Sequence, residues 1–504
     1  MKHTTLALFL FIFTSSFFNA KGEDVPGKKK PNVIMILVDD MGWMDSSTYG
    51  SKYYQTPNMT RLAKEGMRFT DAYAACTVCS PSRAAVMTGK YPARLHVTDF
   101  IAGHPFVNTP MLIPDWTQYL DLKEVTLAEA LKPAGYKSAS IGKWHLTPRD
   151  DKPHPEYWPQ AQGFDVNIGG NQMGAPGSYF WPYGRGKDGT VNQVVNLPEG
   201  GEKGEYLTDR LTDEALKILD RWKDDPFFIY FPYYTVHTPI EAKKEYAEDF
   251  KKKVRKGARH TNPEYAAMVR SLDESVGRLM AKLEELGIAE NTVIFFTGDN
   301  GGLTNNPGKK ERITNNRPLR AGKGSIYEGG VRVPGIIKWP GVTQPGSVSH
   351  VPIISMDYYP TILEIAGVKG NASHNANVDG VSLVSLLKGG SDLSRKTLYW
   401  HYPHYHSMGG IPYTAVRLGD WKAIETHHDR RIQLFNLAED IGERKDLAKA
   451  EPAKAKEMQR MMQYWRQQVG AQMPTYNPNY NRRKPSGIQR GTGPIRPQED
   501  PYRF

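Results

Sequence analysis

VIMILVDD, residues 33–40, sets six apolar residues directly against two carboxylates. The same texture returns at SASIG (138–142), FFIYFPYY (227–234), VIFFTG (293–298) and VPGIIKW (333–339). Between these runs lie segments with helical spacing of apolar residues, such as TPNMTRLAKEG, TLAEALKPAG, LTDRLTDEALKILDRW and PEYAAMVRSLDESVGRLMAKLEELG. The last stops at Gly287, a helix C-terminal signal. Short apolar runs alternating with amphipathic segments predict an α/β domain, a large, mostly parallel sheet with helices on both faces.

Each run ends in residues with chemical potential. The first reaches Asp39 and Asp40, SASIG reaches Lys143 and His145, FFIYFPYYTV reaches His237, and VIFFTG reaches Asp299 and Asn300. Open α/β sheets bind ligands beyond the carboxyl ends of their strands, so these distant residues are expected to meet. Taken singly, a DD pair is as often a turn or helix cap, and GDNGG is a good turn. Together, Asp39, Asp40, Asp299 and Asn300 form a hard oxygen donor set that suits calcium or magnesium better than zinc.

The two cysteines, Cys76 and Cys79, are the only ones in 504 residues. Without a second Cys or His pair at suitable spacing they do not close a structural zinc site, but a redox pair at a helix mouth stays open. The N-terminus joins Lys2, an apolar run and small residues near Ala20 and Gly22, the layout of a secretory signal peptide over 1–22, with a buried first helix as the plain alternative. No other apolar stretch reaches spanning length, so an exported, periplasmic or extracellular protein without a membrane span is expected. The +11 formal charge, partly carried by the ends, favours acidic partners. No nucleic-acid-binding motif accompanies it. A linker covers 23–31 and the α/β domain 32–390. From 391 to 472, TLYWHYPHY, TAVRLGDWKAIE and RIQLFNL predict antiparallel strands followed by a helix, a smaller α+β subdomain. Residues 473–504 read as an extended Pro/Arg-rich tail.

Cys79-Ser80-Pro81-Ser82-Arg83, continued to Thr88-Gly89, matches the pattern C-x-P-S-R-x-x-x-x-T-G. On this stretch, with the DD strand, GKWH, VHTP, TGDNGG and GGVRVPGIIKWPG, the chain resembles the type I, formylglycine-dependent sulfatases of the alkaline phosphatase superfamily. The resemblance implies an alkaline phosphatase-like fold and oxidation of Cys79 to Cα-formylglycine by a separate maturation enzyme. Its hydrate offers one hydroxyl to attack sulfur and a second whose deprotonation releases sulfate, a route a serine lacks. It further implies one calcium ion on Asp39, Asp40, Asp299, Asn300 and the residue at 79. Arg83 would hold the formylglycine oxygen, Lys143 and Lys323 the sulfate oxygens. His237 would protonate the leaving alcohol, and His145 would take the proton that triggers release. Cys76 lies outside the pattern and reads as a small buried hydrophobe.

Family substrates are mostly sulfated sugars. Segments 103–116, 171–186 and 399–406, rich in aromatics and histidine, are expected to rim the pocket. His104, Arg185 and His401 are the candidate sugar contacts, and an exo-acting enzyme on galactose-type residues is the expected activity. A phosphodiesterase or phosphonate monoester hydrolase of the same superfamily, and a non-hydrolytic redox or sugar-binding protein, stand as alternatives.

Overall fold

The computed structural model describes residues 29–150, 152–198, 200–305, 312–489 and 495–497; the expected signal peptide, most of the linker and parts of the tail lie outside them. Asn32–Val38 forms a strand with all seven residues buried. Its alternation explains the unbroken apolar run: Ile34, Ile36 and Val38 enter one core, Val33, Met35 and Leu37 the other. The first core is closed by the helices Leu207–Trp222 and Pro263–Glu285, the second by Leu127–Leu131 and Tyr358–Ile365.

The main sheet has nine strands among the described residues. Asn32–Val38 is central, flanked in parallel by Thr292–Gly298 and Phe227–Pro232. Beyond the latter lie Lys137–Ile141 and Val166–Ile168, again parallel. On the other side Arg332–Lys338 runs against both Thr292–Gly298 and Met67–Tyr73. The predicted mostly parallel sheet is therefore mixed around that one reversed strand, with the chemistry-bearing ends of four parallel strands on one edge.

A second sheet of Thr397–Tyr402, Tyr413–Leu418, Trp421–Thr426 and Ile432–Asn436 is wholly antiparallel and carries the helix Pro452–Gln468. After that helix the chain runs back over the 106–112 segment. Thr475–Tyr476 pairs with Met111–Leu112, and Gly487–Ile488 with Phe106–Val107.

Charges bind the two sheets. Glu328 is fully buried, 2.8 Å from Lys422 and 3.3 Å from Arg332, and accepts from the Tyr73 hydroxyl. Lys422 also lies 3.0 Å from buried Glu443, and Asp71 pairs with Arg332 and Arg417 at 2.7 Å each. Burial opposes ionisation of Glu328, yet Lys422, Arg332 and Arg417 hold its carboxyl down at about 2; burial and Glu328 raise Glu443 to about 7 despite Lys422. Removing one partner of such a buried network leaves an uncompensated charge. Lys422→Met is expected to cost about 3–5 kcal/mol of stability, read as a lower denaturation midpoint. A loss below about 1 kcal/mol would mean that the two glutamates manage without the lysine.

Candidate active site

The Cys79–Thr88 helix is buried along its whole length, and its pattern residues have local reasons. Pro81 sits in the first turn, where a missing N–H costs nothing. Ser82 Oγ accepts from Cys76 N at 3.0 Å, tying the preceding turn to the helix. Ser80 Oγ donates to the His145 carbonyl at 2.9 Å and accepts from Ile101 N at 3.1 Å. Thr88 Oγ1 bonds back to Ala84 O, and Gly89 ends the helix at φ 71°, where a Cβ would press on Tyr359 and Val378.

Arg83 points from this helix to the strand ends. Its Nε and Nη2 donate to Asp299 Oδ2 at 2.9 and 2.7 Å, and its Nη1 to Lys143 O at 2.7 Å. Both side chains of the Arg83–Asp299 pair are fully excluded from solvent. Gly142, at φ 121°, turns the chain after Ile141 so closely that a Cβ would lie 2.0 Å from Pro232 O. That turn delivers Lys143 Nζ to Asp39 Oδ2 at 2.7 Å. From the other side Lys323 Nζ lies 2.7 Å from Asp40 Oδ1, to which Asn300 Nδ2 also donates at 2.7 Å. Asp40 and His145 both take left-handed backbone, φ 59°, uncommon outside glycine and a mark of functional sites.

The four strand ends and the cysteine helix therefore meet. Asp39, Cys79 and Asp299 present ligand atoms within 4.8 Å of one another, as do Asp39, Asp40 and His237. Asp39 Oδ1 and Asn300 Oδ1 are buried oxygens without a hydrogen-bond partner among the described residues. Burial, reinforced by Asp299, lifts Asp39 to about 8 even against Lys143. Burial works against Asp40 too, but Lys323 and His237 outweigh it and hold its carboxyl below the usual range. Crowded carboxylates with unsatisfied oxygens suit a hard divalent cation.

The histidines differ in their free nitrogens. His145 Nε2 lies 2.5 Å from Ile101 O, which can only accept, so Nε2 carries the proton and Nδ1 is left as a lone pair. Burial and Lys143 push this ring well below its ordinary pKa. His237 Nδ1 donates to Thr238 O at 2.8 Å, leaving Nε2 3.6 Å from Asp40 Oδ2; burial and Lys323 lower it to about 3. Both thiols are buried and free. Burial raises Cys76 to about 12, and raises Cys79 too, against the pull of Lys143 and Lys323. Reactive redox cysteines have the opposite shift, so the redox reading finds no support here.

Of the candidate sugar contacts, His104 has its ring 4.6 Å from Phe100 and 5.0 Å from His406. Arg185 is exposed on a bridge to Val191. His401 is not in the cluster: its ring is bound between Thr414 Oγ1 and Gln472 O inside the second subdomain. The histidine that does face the site from that stretch is His406. Its Nδ1 accepts from Met408 N, and a Cβ on Gly324, next to Lys323, would lie 2.1 Å from it. His401 lies on a strand and His406 in the loop beyond, a distinction their shared run of aromatics concealed.

Residues 31–368 match the family model for sulfatases, and 322–470 that for the C-terminal region of N-sulphoglucosamine sulphohydrolase. A sulfatase of Formosa agariphila is 35% identical, covering 84% of this chain and 86% of its own. The N-acetylgalactosamine-6-sulfatase of Rattus norvegicus is 33% identical over 78% of this chain and 71% of its own. Among solved structures, Ps i-CgsB is 32% identical, with a TM-score of 0.71 over 87% of this chain and 93% of that one. The chain is an enzyme, and it belongs to the sulfatase family.

Proposed function

We propose that this sulfatase is an exported, exo-acting enzyme that removes sulfate from galactose-type residues of sulfated glycans, using formylglycine at position 79 and one calcium ion. The observation that carries the reading is Cys79 at the first turn of a buried helix, between the oxygens of Asp39 and Asp299 and under the charges of Lys143 and Lys323. Galactose-type sugars are supported by the relative named N-acetylgalactosamine-6-sulfatase and by Ps i-CgsB, also solved with a neocarrahexaose. The buried floor favours a chain end over an internal sugar, since Asp39, Lys143 and Asp299 have no solvent exposure. Export rests on the N-terminal sequence and the pairing with a maturation enzyme on the Cys79 pattern; no helix among the described residues is long and apolar enough to cross a membrane.

Calcium, or magnesium on the same oxygens, would be held by Asp39, Asp40, Asp299 and Asn300 and would supply Lewis acidity toward the sulfuryl group. Formylglycine at 79 would supply, as its hydrate, the two hydroxyls that the chemistry needs. The remaining roles belong to the chain's own side chains. Lys143 and Lys323 neutralise charge on the sulfate oxygens where water is excluded. Arg83 holds the Asp299 carboxylate in place while its Nη1 holds the Lys143 backbone. His145 Nδ1 is the lone pair free to take a proton. At His237 an arriving sulfate anion raises the low pKa, so that Nε2 can carry a proton to the leaving alcohol. His104 and His406 line the mouth, where ring faces and N–H groups suit a sugar.

Inorganic sulfate released from a panel of defined sulfated saccharides tests the reading, with aryl sulfate and aryl phosphate in parallel. Sulfate is expected from galactose-type esters, and aryl sulfate should be preferred. A preference for phosphate esters would favour the diesterase or phosphonate hydrolase reading. Peptide mass analysis should find an aldehyde in place of the Cys79 thiol, and Cys79→Ala should lose about 10³-fold or more in kcat/KM. Calcium at a hundredfold above its Kd should stabilise the protein by about 2.7 kcal/mol, seen as a raised melting temperature, and Asp299→Asn should abolish that rise. Gly174 packs so closely on His145 that a Cβ would fall 2.5 Å from Cε1. Gly174→Ala is therefore expected to displace the His145 ring and lower kcat about 10²-fold, with a stability loss of about 1–3 kcal/mol that leaves the protein folded. An unaltered kcat would remove His145 from the proton path.

A further inference from the structure

The +11 charge is not confined to the chain ends. After the Lys244–Lys251 helix the chain reads KKVRKGAR over 252–259, exposed throughout. This turn and the segment after the central strand enclose a groove of about 890 Å³. Five of its fourteen lining residues, Lys52, Lys252, Lys253, Arg255 and Arg259, are cationic and none is acidic. Lys252 lies 3.7 Å from Asp249, and Lys253 donates to Gln55 at 3.0 Å; Lys52 and Arg255 have no ion-pair partner among the described residues.

Arg259 Nη1 donates to the Arg317 carbonyl at 3.3 Å, and Arg317 lines a second, neighbouring groove of about 330 Å³. Arg312, Arg317 and Arg444 line it with exposed side chains, again with no acidic residue among those described. Asn316 and Ala321 form its inner wall. Asn316 Nδ2 donates to Gly302 O and Ala321 O at 2.9 and 3.0 Å, and Gly302 O in turn accepts from Lys323 N. The second groove therefore abuts the loop that carries Lys323 to the sulfate site.

We propose that these two grooves form an anion track that binds the polymer chain of a sulfated glycan outside the hydrolytic site. The naming of the occupant rests on the substrate class proposed above. The cations are too spread for one small anion, and they line two neighbouring hollows, an arrangement suited to a strand of repeating charges. Like charges gathered with few counter-carboxylates, Asp249 beside Lys252 being one, raise the local concentration of a polyanion, and salt screens the effect. A chain whose terminal sulfated sugar enters the site can continue past Ala321 into the grooves.

The test uses the full-length protein carrying Cys79→Ala, which binds without turnover, and immobilised chondroitin sulfate as the probe. Lys52→Gln/Lys252→Gln/Arg255→Gln and, separately, Arg317→Gln/Arg444→Gln should each weaken binding about tenfold or more at 0.15 M salt, with a shallower dependence of log affinity on log salt. With Cys79 intact, the same substitutions should raise KM for the polymer and leave kcat/KM for aryl sulfate unchanged. Unaltered polymer binding in both variants would overturn the track. So would tighter binding of duplex DNA or of vesicles of anionic lipid than of chondroitin sulfate. If no saccharide in the panel yields sulfate while the inert protein still holds the polymer through these cations, the substrate reading fails and the track stands.

Discussion

The buried pair between Arg83 and Asp299 is the contact on which the site depends. Two hydrogen bonds from one guanidinium to one carboxylate oxygen lock the cysteine helix to the end of a central strand, and a third holds the backbone at Lys143. Neither charge has any solvent exposure, so each is tolerable only because the other is there. The helix beneath is buried on every side, and its serines are spent on backbone groups of neighbouring turns. Shifting that helix by one residue would break all of these bonds at once. Position 79 is accordingly a place held by geometry before any chemistry begins.

Around that pair the charges nearly cancel: three carboxylates at 39, 40 and 299 face three fixed cations at 83, 143 and 323. The balance is local and strained, as the opposite shifts of Asp39 and Asp40 indicate. Two oxygens remain without partners, and two histidines are left neutral with one lone pair each, at Nδ1 in one case and Nε2 in the other. A site arranged in this way accepts a divalent cation and an anion together more readily than either alone.

The second sheet is part of this architecture and not an appendage. Its Lys422 and Arg417 reach Glu328 and Asp71, Trp400 Nε1 donates to Ala74 O, and the loop beyond its first strand packs His406 on Gly324 beside Lys323. The strands at 475–476 and 487–488 brace the 106–112 segment.

Sequence alone determined the strands, the donor residues at their ends and the cysteine pattern, because each is written in neighbouring residues. A buried strand must be apolar on both faces, Gly89 must follow a helix that stops there, and hard oxygens keep their chemistry wherever they fold. The tertiary structure decided what depends on direction and on distant partners. It set one strand against its neighbours within the expected mostly parallel sheet, and it packed His406 on Gly324 beside Lys323 while holding His401 between Thr414 and Gln472. It chose which nitrogen of His145 is free, since the Ile101 carbonyl from another loop occupies the other, whereas at His237 the carbonyl of the next residue does so. It also brought the cations of 252–259 and 312–317 into neighbouring grooves, although each segment by itself reads as an ordinary solvated loop. Such relations are set by packing between elements far apart in the chain, and local composition carries no record of them.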